Sequence, residues 1–166
     1  MAINAFIKFE DPAISGEVTA TGHTEELQVL SWSHGFNQPT SPTRSSAGGG
    51  TVEQANHADF SFTKYTDAAT DDLLKHCWSG KQIGKATVTS YRADGNNTPV
   101  KYLEIVMEKV IVSSVSLGGG TGDLPTETIS LSYGIVKYAY IPQKEVDGTG
   151  EGVQPVTHNL FSQEVS

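Results

Sequence analysis

KYLEIVMEKVIVSSVSL, residues Lys101–Leu117, decides the fold class. Leu103, Ile105 and Met107 alternate with Tyr102, Glu104 and Val106, the two-residue period of a strand with one buried face. At Lys109 the phase slips, and Val110 and Val112 continue on the other parity. Thr126 to Ile141 repeats the pattern: Ile129, Leu131 and Tyr133 hold one face, and beyond Gly134 the large residues Val136, Tyr138 and Tyr140 hold the other. A β-bulge explains such a switch, because glycine supplies the backbone freedom a bulge needs. Burial of both faces, one of them in a subunit contact, explains it equally well.

Outward from these two stretches the same period recurs. Ile3, Ala5, Ile7 and Phe9 form one alternating set, Glu26 to Phe36 reads as a strand, and so do Asp59 to Lys64 and Lys85 to Arg92. In Asp59 to Lys64, Phe60 and Phe62 take one face while Ser61 and Thr63 take the other. Asp11-Pro12, Ala93 to Asn97 and Gly118 to Asp123 supply the turns. The expectation is an all-β domain, a small barrel of two packed antiparallel sheets. One helix interrupts it over 67–78, with Thr66 or Asp67 as N-cap, Asp71 and Asp72 near its positive end, and Gly80 as its stop. Leu73, Leu74, Cys77 and Trp78 are expected on one stripe that covers the sheet.

With 166 residues, 37% of them hydrophobic, the chain suits a single domain spanning 1–166. Two stretches carry little to bury: the connection 37–56, with two prolines and three successive glycines, and the polar segment 142–166, which offers one short strand candidate at Val156 to Phe161. Eleven basic against nineteen acidic residues give a net charge of −8. That field, with no Lys/Arg cluster in it, opposes nucleic acid and anionic membranes. No run approaches the roughly 20 apolar residues of a membrane-spanning helix. Cys77 is the only cysteine, so no intrachain disulfide forms. The first ten residues read as a strand and not as a signal peptide.

Catalytic templates fail on spacing. Gly80 to Ala86 has one residue too few for a phosphate loop, and Ala86 stands where a Ser or Thr would hold magnesium. Gly118 to Gly122 is followed by a strand, so no helix N-terminus meets a pyrophosphate. The five histidines (23, 34, 57, 76 and 158) show no zinc spacing. His76 and Cys77 are adjacent on the helix and point about 100° apart, unsuited to a nucleophile–base pair. Ser31-Trp32-Ser33-His34-Gly35 lacks the Gly-x-Ser-x-Gly elbow. No catalytic residue, cofactor or metal is expected.

Four segments in order are more telling: Glu25 to Gly35 (EELQVLSWSHG), Phe60 to Tyr65 (FSFTKY), Val112 to Ser116 (VSSVS) and Pro125 to Leu131 (PTETISL). At these distances the set resembles the Hcp family, the haemolysin-coregulated proteins of the bacterial type VI secretion system, over Met1 to about Gln143. The resemblance implies a hexameric ring, rings stacked into a hollow inner tube, and no enzyme activity. It also implies export without a cleaved signal peptide after assembly in the bacterial cytoplasm. The implied partners are type VI effectors held in the lumen and the sheath, spike and baseplate proteins. Within 37–56, Gln38, Thr40, Ser41, Thr43, Arg44, Gly48, Gly49 and Gly50 are expected to reach a neighbouring subunit or ring. With Leu30, Trp32 and Phe36 expected in the core, Ser31 and Ser33, beside Leu27 and Val29, become candidate lumen positions. Leu124 and His158 depart from the family pattern, Leu124 where many relatives carry a basic residue and His158 near an aromatic position of the tail. The alternative is a monomeric β-sandwich binding carbohydrate or peptide through an exposed aromatic platform.

Overall fold

The structure, a computed structural model, describes residues 4–39, 55–93, 99–142, 152 and 154–166. The elements in chain order are β1 (Asn4–Glu10), β2 (Leu27–Val29), β3 (Ser31–Ser33), β4 (Phe36–Asn37), β5 (Asn56–His57), β6 (Phe60–Tyr65), α1 (Thr70–Ser79), β7 (Ile83–Ala93), β8 (Pro99–Gly118), β9 (Thr126–Ser132), β10 (Ile135–Tyr140), β11 (Val156–Asn159) and β12 (Glu164–Val165). The all-β expectation holds, with a single helix among the described residues.

Strand β8 organises everything else. Its first half pairs with β7 on one side and β10 on the other, and its second half pairs with β9. One layer therefore runs β12-β11-β10-β8-β7-β1-β2, and the other continues from β8 through β9 and β6 to β3. All named strand pairs are antiparallel. The layers do not close into a continuous barrel. They face each other across one core, to which Ile7, Phe9, Leu27, Val88, Ile105 and Met107 contribute from the first layer and Phe60, Phe62, Val112, Ile129 and Leu131 from the second.

The two parity slips are the corners where the chain changes layer. Lys109 takes φ +55°, which turns β8 out of the first layer and into the second. Beyond Ser132 the chain leaves β9, and Gly134 donates its N–H to the Glu108 carbonyl (3.0 Å) before β10 starts in the first layer. Gly134 is therefore a break between two strands and not a bulge within one. A Cβ at this position would lie 2.0 Å from the Phe161 ring, so the glycine also makes room for the C-terminal segment. A third corner lies at Leu30, whose N–H donates to the Thr63 carbonyl (2.8 Å) between β2 and β3. The stretch Glu26 to Phe36 is thus three short strands and not one.

Helix α1 starts later than expected. Ala69 is its N-cap, without a side-chain cap. Asp67 instead accepts the Ala69 N–H (3.0 Å) and the Lys64 ammonium (2.8 Å) in the turn before it. Gly80, at φ +66°, ends the helix in the left-handed conformation that its lack of a Cβ permits. Leu73 is fully buried and Cys77 packs partly against the core, but Trp78 is 79% exposed. Five residues advance a helix about 500°, which leaves Trp78 about 140° from Leu73 and off the buried stripe. His76, which takes part in the buried face, donates from Nδ1 to the Lys81 carbonyl (3.2 Å).

Candidate functional site

The outward face of the second layer is a sheet of hydroxyls. Register places Ser31, Thr63, Thr128 and Ser116 in one cross-strand row, and Ser33, Ser61, Ser130 and Ser114 in the next. The local cause is alternation: Phe60, Phe62 and Lys64 of β6 and Glu127, Ile129 and Leu131 of β9 are buried, so their neighbours must face out. Ser61 and Ser130 share a hydrogen bond of 2.9 Å and Thr63 and Thr128 one of 3.3 Å. Where the β8 register shifts between Val112 and Ser114, Ser113 donates to Asp59 (2.6 Å) and to the Ser130 carbonyl (3.0 Å). Both rows are uncharged although the chain carries a net −8, because the charged residues of β6 and β9, Lys64 and Glu127, lie on the inner side. Chemically this face offers short hydrogen-bonding groups with little side-chain entropy to lose on contact.

Ser31 and Ser33 lie on this face as exposed residues. Leu27 and Val29 do not lie beside them: they are buried in the core. Leu30 (46% exposed), Trp32 (36%) and Phe36 (51%) are not core residues either. The corner at Leu30 explains Leu27 and Val29, because alternation counted through a strand break assigns faces wrongly, whereas Trp32 is exposed by its place at the sheet edge. Trp32 shares a side with Phe62 at the open edge of β3 and stacks on Phe60, with ring centroids 5.7 Å apart. Of the loop residues, Gln38 is exposed and its amide donates to the Pro39 carbonyl (3.3 Å). Thr40, Ser41, Thr43, Arg44, Gly48, Gly49 and Gly50 lie outside the described residues. Asn37 and Asn56 pair across β4 and β5, which form a short two-stranded root for the connection.

Sequence spacing gave no hint of a second constellation at that root. Tyr133 Oη lies 2.8 Å from His34 Nε2 and 2.6 Å from His57 Nδ1. Tyr138 Oη is hydrogen-bonded to His34 Nδ1, and His57 Nε2 meets His158 Nδ1 at 2.7 Å. Burial holds His34 down to about 4, reinforced by His57 and opposed by the Ala58 backbone and Asp59. Burial and then His158 lower His57, and burial pushes Tyr138 up to about 12 and Tyr133 higher still. Among the described residues no group of three or more His, Cys, Asp or Glu could hold a metal ion. No helix among them is long and apolar enough to cross a membrane. Of the aromatics that a binding platform could use, Trp32 stacks on Phe60, Tyr138 belongs to the histidine cluster, and Trp78 stands exposed on α1.

Known proteins share both sequence and shape with this chain. The family described as "Type VI secretion system effector, Hcp" matches residues 6–140. The chain is similar to the protein hcp1 of Pseudomonas aeruginosa, with 42% identity over 153 residues that cover 92% of this chain and 91% of that one. Among solved structures, Hcp1 from Salmonella typhimurium superposes with a TM-score of 0.78 at 28% identity, covering all of both chains. A type VI secretion system effector from Yersinia pestis gives 0.73 at 28% identity over 93% of this chain and 98% of that one. The extent of the family match and the identity over nearly the whole length make this chain a member of the Hcp family, the tube proteins of the bacterial type VI secretion system.

Proposed function

We propose that six copies close into a ring, that rings stack into a hollow tube, and that the hydroxyl face of β3, β6, β9 and the second half of β8 lines the bore, where exported effectors lie. The observation that carries this reading is the uncharged double row of serines and threonines on an otherwise acidic chain. A wall of fixed charges would bind some cargo tightly and repel the rest. Short neutral hydroxyls accept many partners at a modest cost to each. Ring closure has a candidate surface in Leu30, Tyr65 and Leu124, exposed by 46%, 47% and 70%, which border one depression of about 300 Å³. Apolar groups gathered in this way mark a surface that a partner covers, and a stable contact needs about 800 Å² per partner. In this role the chain acts through shape and not by bond-making. It assembles in the cytoplasm and leaves with its cargo, meeting sheath, spike and baseplate proteins on the way.

Ser33→Arg tests the bore. Each ring would gain six guanidinium groups where neutral contact is required. Effector recovered with the purified ring is expected to fall about tenfold or more, the equivalent of roughly 1.4 kcal/mol of cargo binding in total. Sedimentation should still show rings of unchanged size. Full effector recovery on intact rings overturns the assignment of this face.

The connection between β4 and β5 is assigned to inter-ring contact. Ordering it costs roughly 1–2 kcal/mol per residue, which contact with a partner offsets. Deletion of Ser41 to Gly50 is expected to leave a folded, ring-forming chain whose stacks are shortened in negative-stain images. Tubes of normal length after the deletion refute the role.

A further inference from the structure

His34 precedes β4, His57 sits in β5 and His158 in β11, so the histidine cluster joins the root of the long connection to the C-terminal hairpin β11–β12. Its contacts run in a line: Tyr138 to His34, His34 to Tyr133, Tyr133 to His57, His57 to His158. A tyrosine hydroxyl has one proton to donate, and a neutral imidazole has one donor and one acceptor. With all three rings neutral, every contact is satisfied and the Tyr133 proton is also used only when the donors point the same way along the line. One added proton is tolerated on any ring. Protonated His57, for example, donates from Nδ1 to Tyr133 and from Nε2 to His158, while Tyr133 donates to His34 and His34 to Tyr138. A second proton is not tolerated. On His57 and His158 together it sets N–H against N–H across 2.7 Å. On His34 together with either of the others it leaves the Tyr133 hydroxyl proton without an acceptor.

We propose that this relay is an acid-released clamp, which at neutral pH fastens the β11–β12 hairpin to the root of the 38–55 connection and lets it go when a second proton enters. The surroundings favour release. Phe36, Val136, Val156 and Val165 line a depression of about 300 Å³ against His57, Tyr138 and His158, so on this side no carboxylate among the described residues compensates an added proton. Phe36 and Phe60 pack against His34, and Phe36 also against His57. The charged group facing His34 and Tyr133 is Asp59, from the turn before β6, and it is held by Ser113. His158 is flanked in register by Val136 and Val165. The sign is consistent. His34 and His57 both have lowered proton affinity in the closed form, so the open form binds protons more tightly. Closure is fully favoured above the ordinary histidine value of 6.5 and is lost as pH falls below it toward about 4. The hairpin is also tied independently of pH, through four register pairs with β10, the Leu160 N–H to the Gly134 carbonyl (2.8 Å), Leu160 against the core, and the Phe161 ring over Gly134 and beneath the Lys109 ammonium (4.6 Å).

Amide hydrogen exchange on the full chain tests the clamp. After correction for intrinsic exchange, protection of residues 156–166 is expected to drop about tenfold or more between pH 7.5 and pH 4.5, since one extra proton is worth about a factor of ten per pH unit. In His158→Asn the amide takes the place of the imidazole Nδ1, accepts from His57 and binds no proton, so only the His34 and His57 pair can take the second proton and the drop should shrink severalfold. Protection that does not depend on pH in the unmodified chain, or a full acid response in His158→Asn, overturns the proposal. Imidazole proton resonances of the unmodified chain give a second reading. His57 should titrate below the ordinary histidine value of 6.5, and an unshifted titration would likewise overturn it. The relay lies within one chain, so neither outcome bears on ring assembly.

Discussion

Glu127→Ala is expected to lower the unfolding free energy by about 3–5 kcal/mol, the cost of removing one partner from a buried ion pair. Lys64 and Glu127 are directly opposed in the β6–β9 register, both are buried, and they form an ion pair. Thr70, at the start of α1, directs its hydroxyl at the same carboxylate, 3.1 Å from either oxygen. Removing Glu127 leaves the ammonium with Asp67 (2.8 Å) and the Tyr65 carbonyl (3.2 Å), and leaves the Thr70 hydroxyl without its acceptor. Asp67 moderates the loss without cancelling it. Since a domain of this size has only about 5–15 kcal/mol to lose, the urea midpoint should fall by about a fifth or more. The paired replacement Lys64→Met with Glu127→Leu should recover most of that stability, because apolar side chains of similar volume replace a buried pair at little net cost. A Glu127→Ala chain as stable as the original would show that the pair contributes nothing.

Phe60→Ala is expected to cost about 3–5 kcal/mol by a different route, lost transfer energy plus the cavity left behind. Phe60 is fully buried, opposes Leu131 in register, stacks beneath Trp32 and meets the edge of the His34 ring at 5.5 Å. Its removal therefore loosens both the core and the floor of the histidine relay. Phe60→Leu should cost less than half as much. Phe60 and Lys64 lie on the same face of β6 but four residues apart, about 13 Å along a strand. At that separation the Phe60→Ala and Glu127→Ala losses should add to within about 0.5 kcal/mol. Strong coupling between them would mean that the second layer deforms as a unit.

Alternation made most of this architecture legible. Phe60/Phe62 against Ser61/Thr63 is a face assignment that needs no partner strand, and the slips at Lys109 and Gly134 mark real corners. Alternation also has to be restarted at every corner. The apolar set changes parity from Leu27 and Val29 to Leu30 and Trp32, and counting through that corner placed Leu27 and Val29 outside the core, while Leu30, Trp32 and Phe36 stand too near strand ends and the sheet edge to be buried. Lys64 and Glu127 do fall on the parity of their apolar neighbours, but their pairing depends on which strands meet. The histidine relay was hidden more completely. His57 and His158 are 101 residues apart, and His34 and Tyr138 are 104 apart. Only the tertiary fold brings such groups together, so no local spacing rule reports them. Ser31 and Ser33 were visible as an exposed pair, while the extent of the hydroxyl face emerged from the register of β3, β6, β9 and β8.

A single covalent backbone, Pro99–Gly118, belongs to both layers. A push on one layer is therefore carried into the other along main-chain bonds, without relying on side chains sliding past each other. Neither layer can shear away while that strand is intact. In the proposed tube, a load borne by one layer of a subunit would pass directly into the other along this strand.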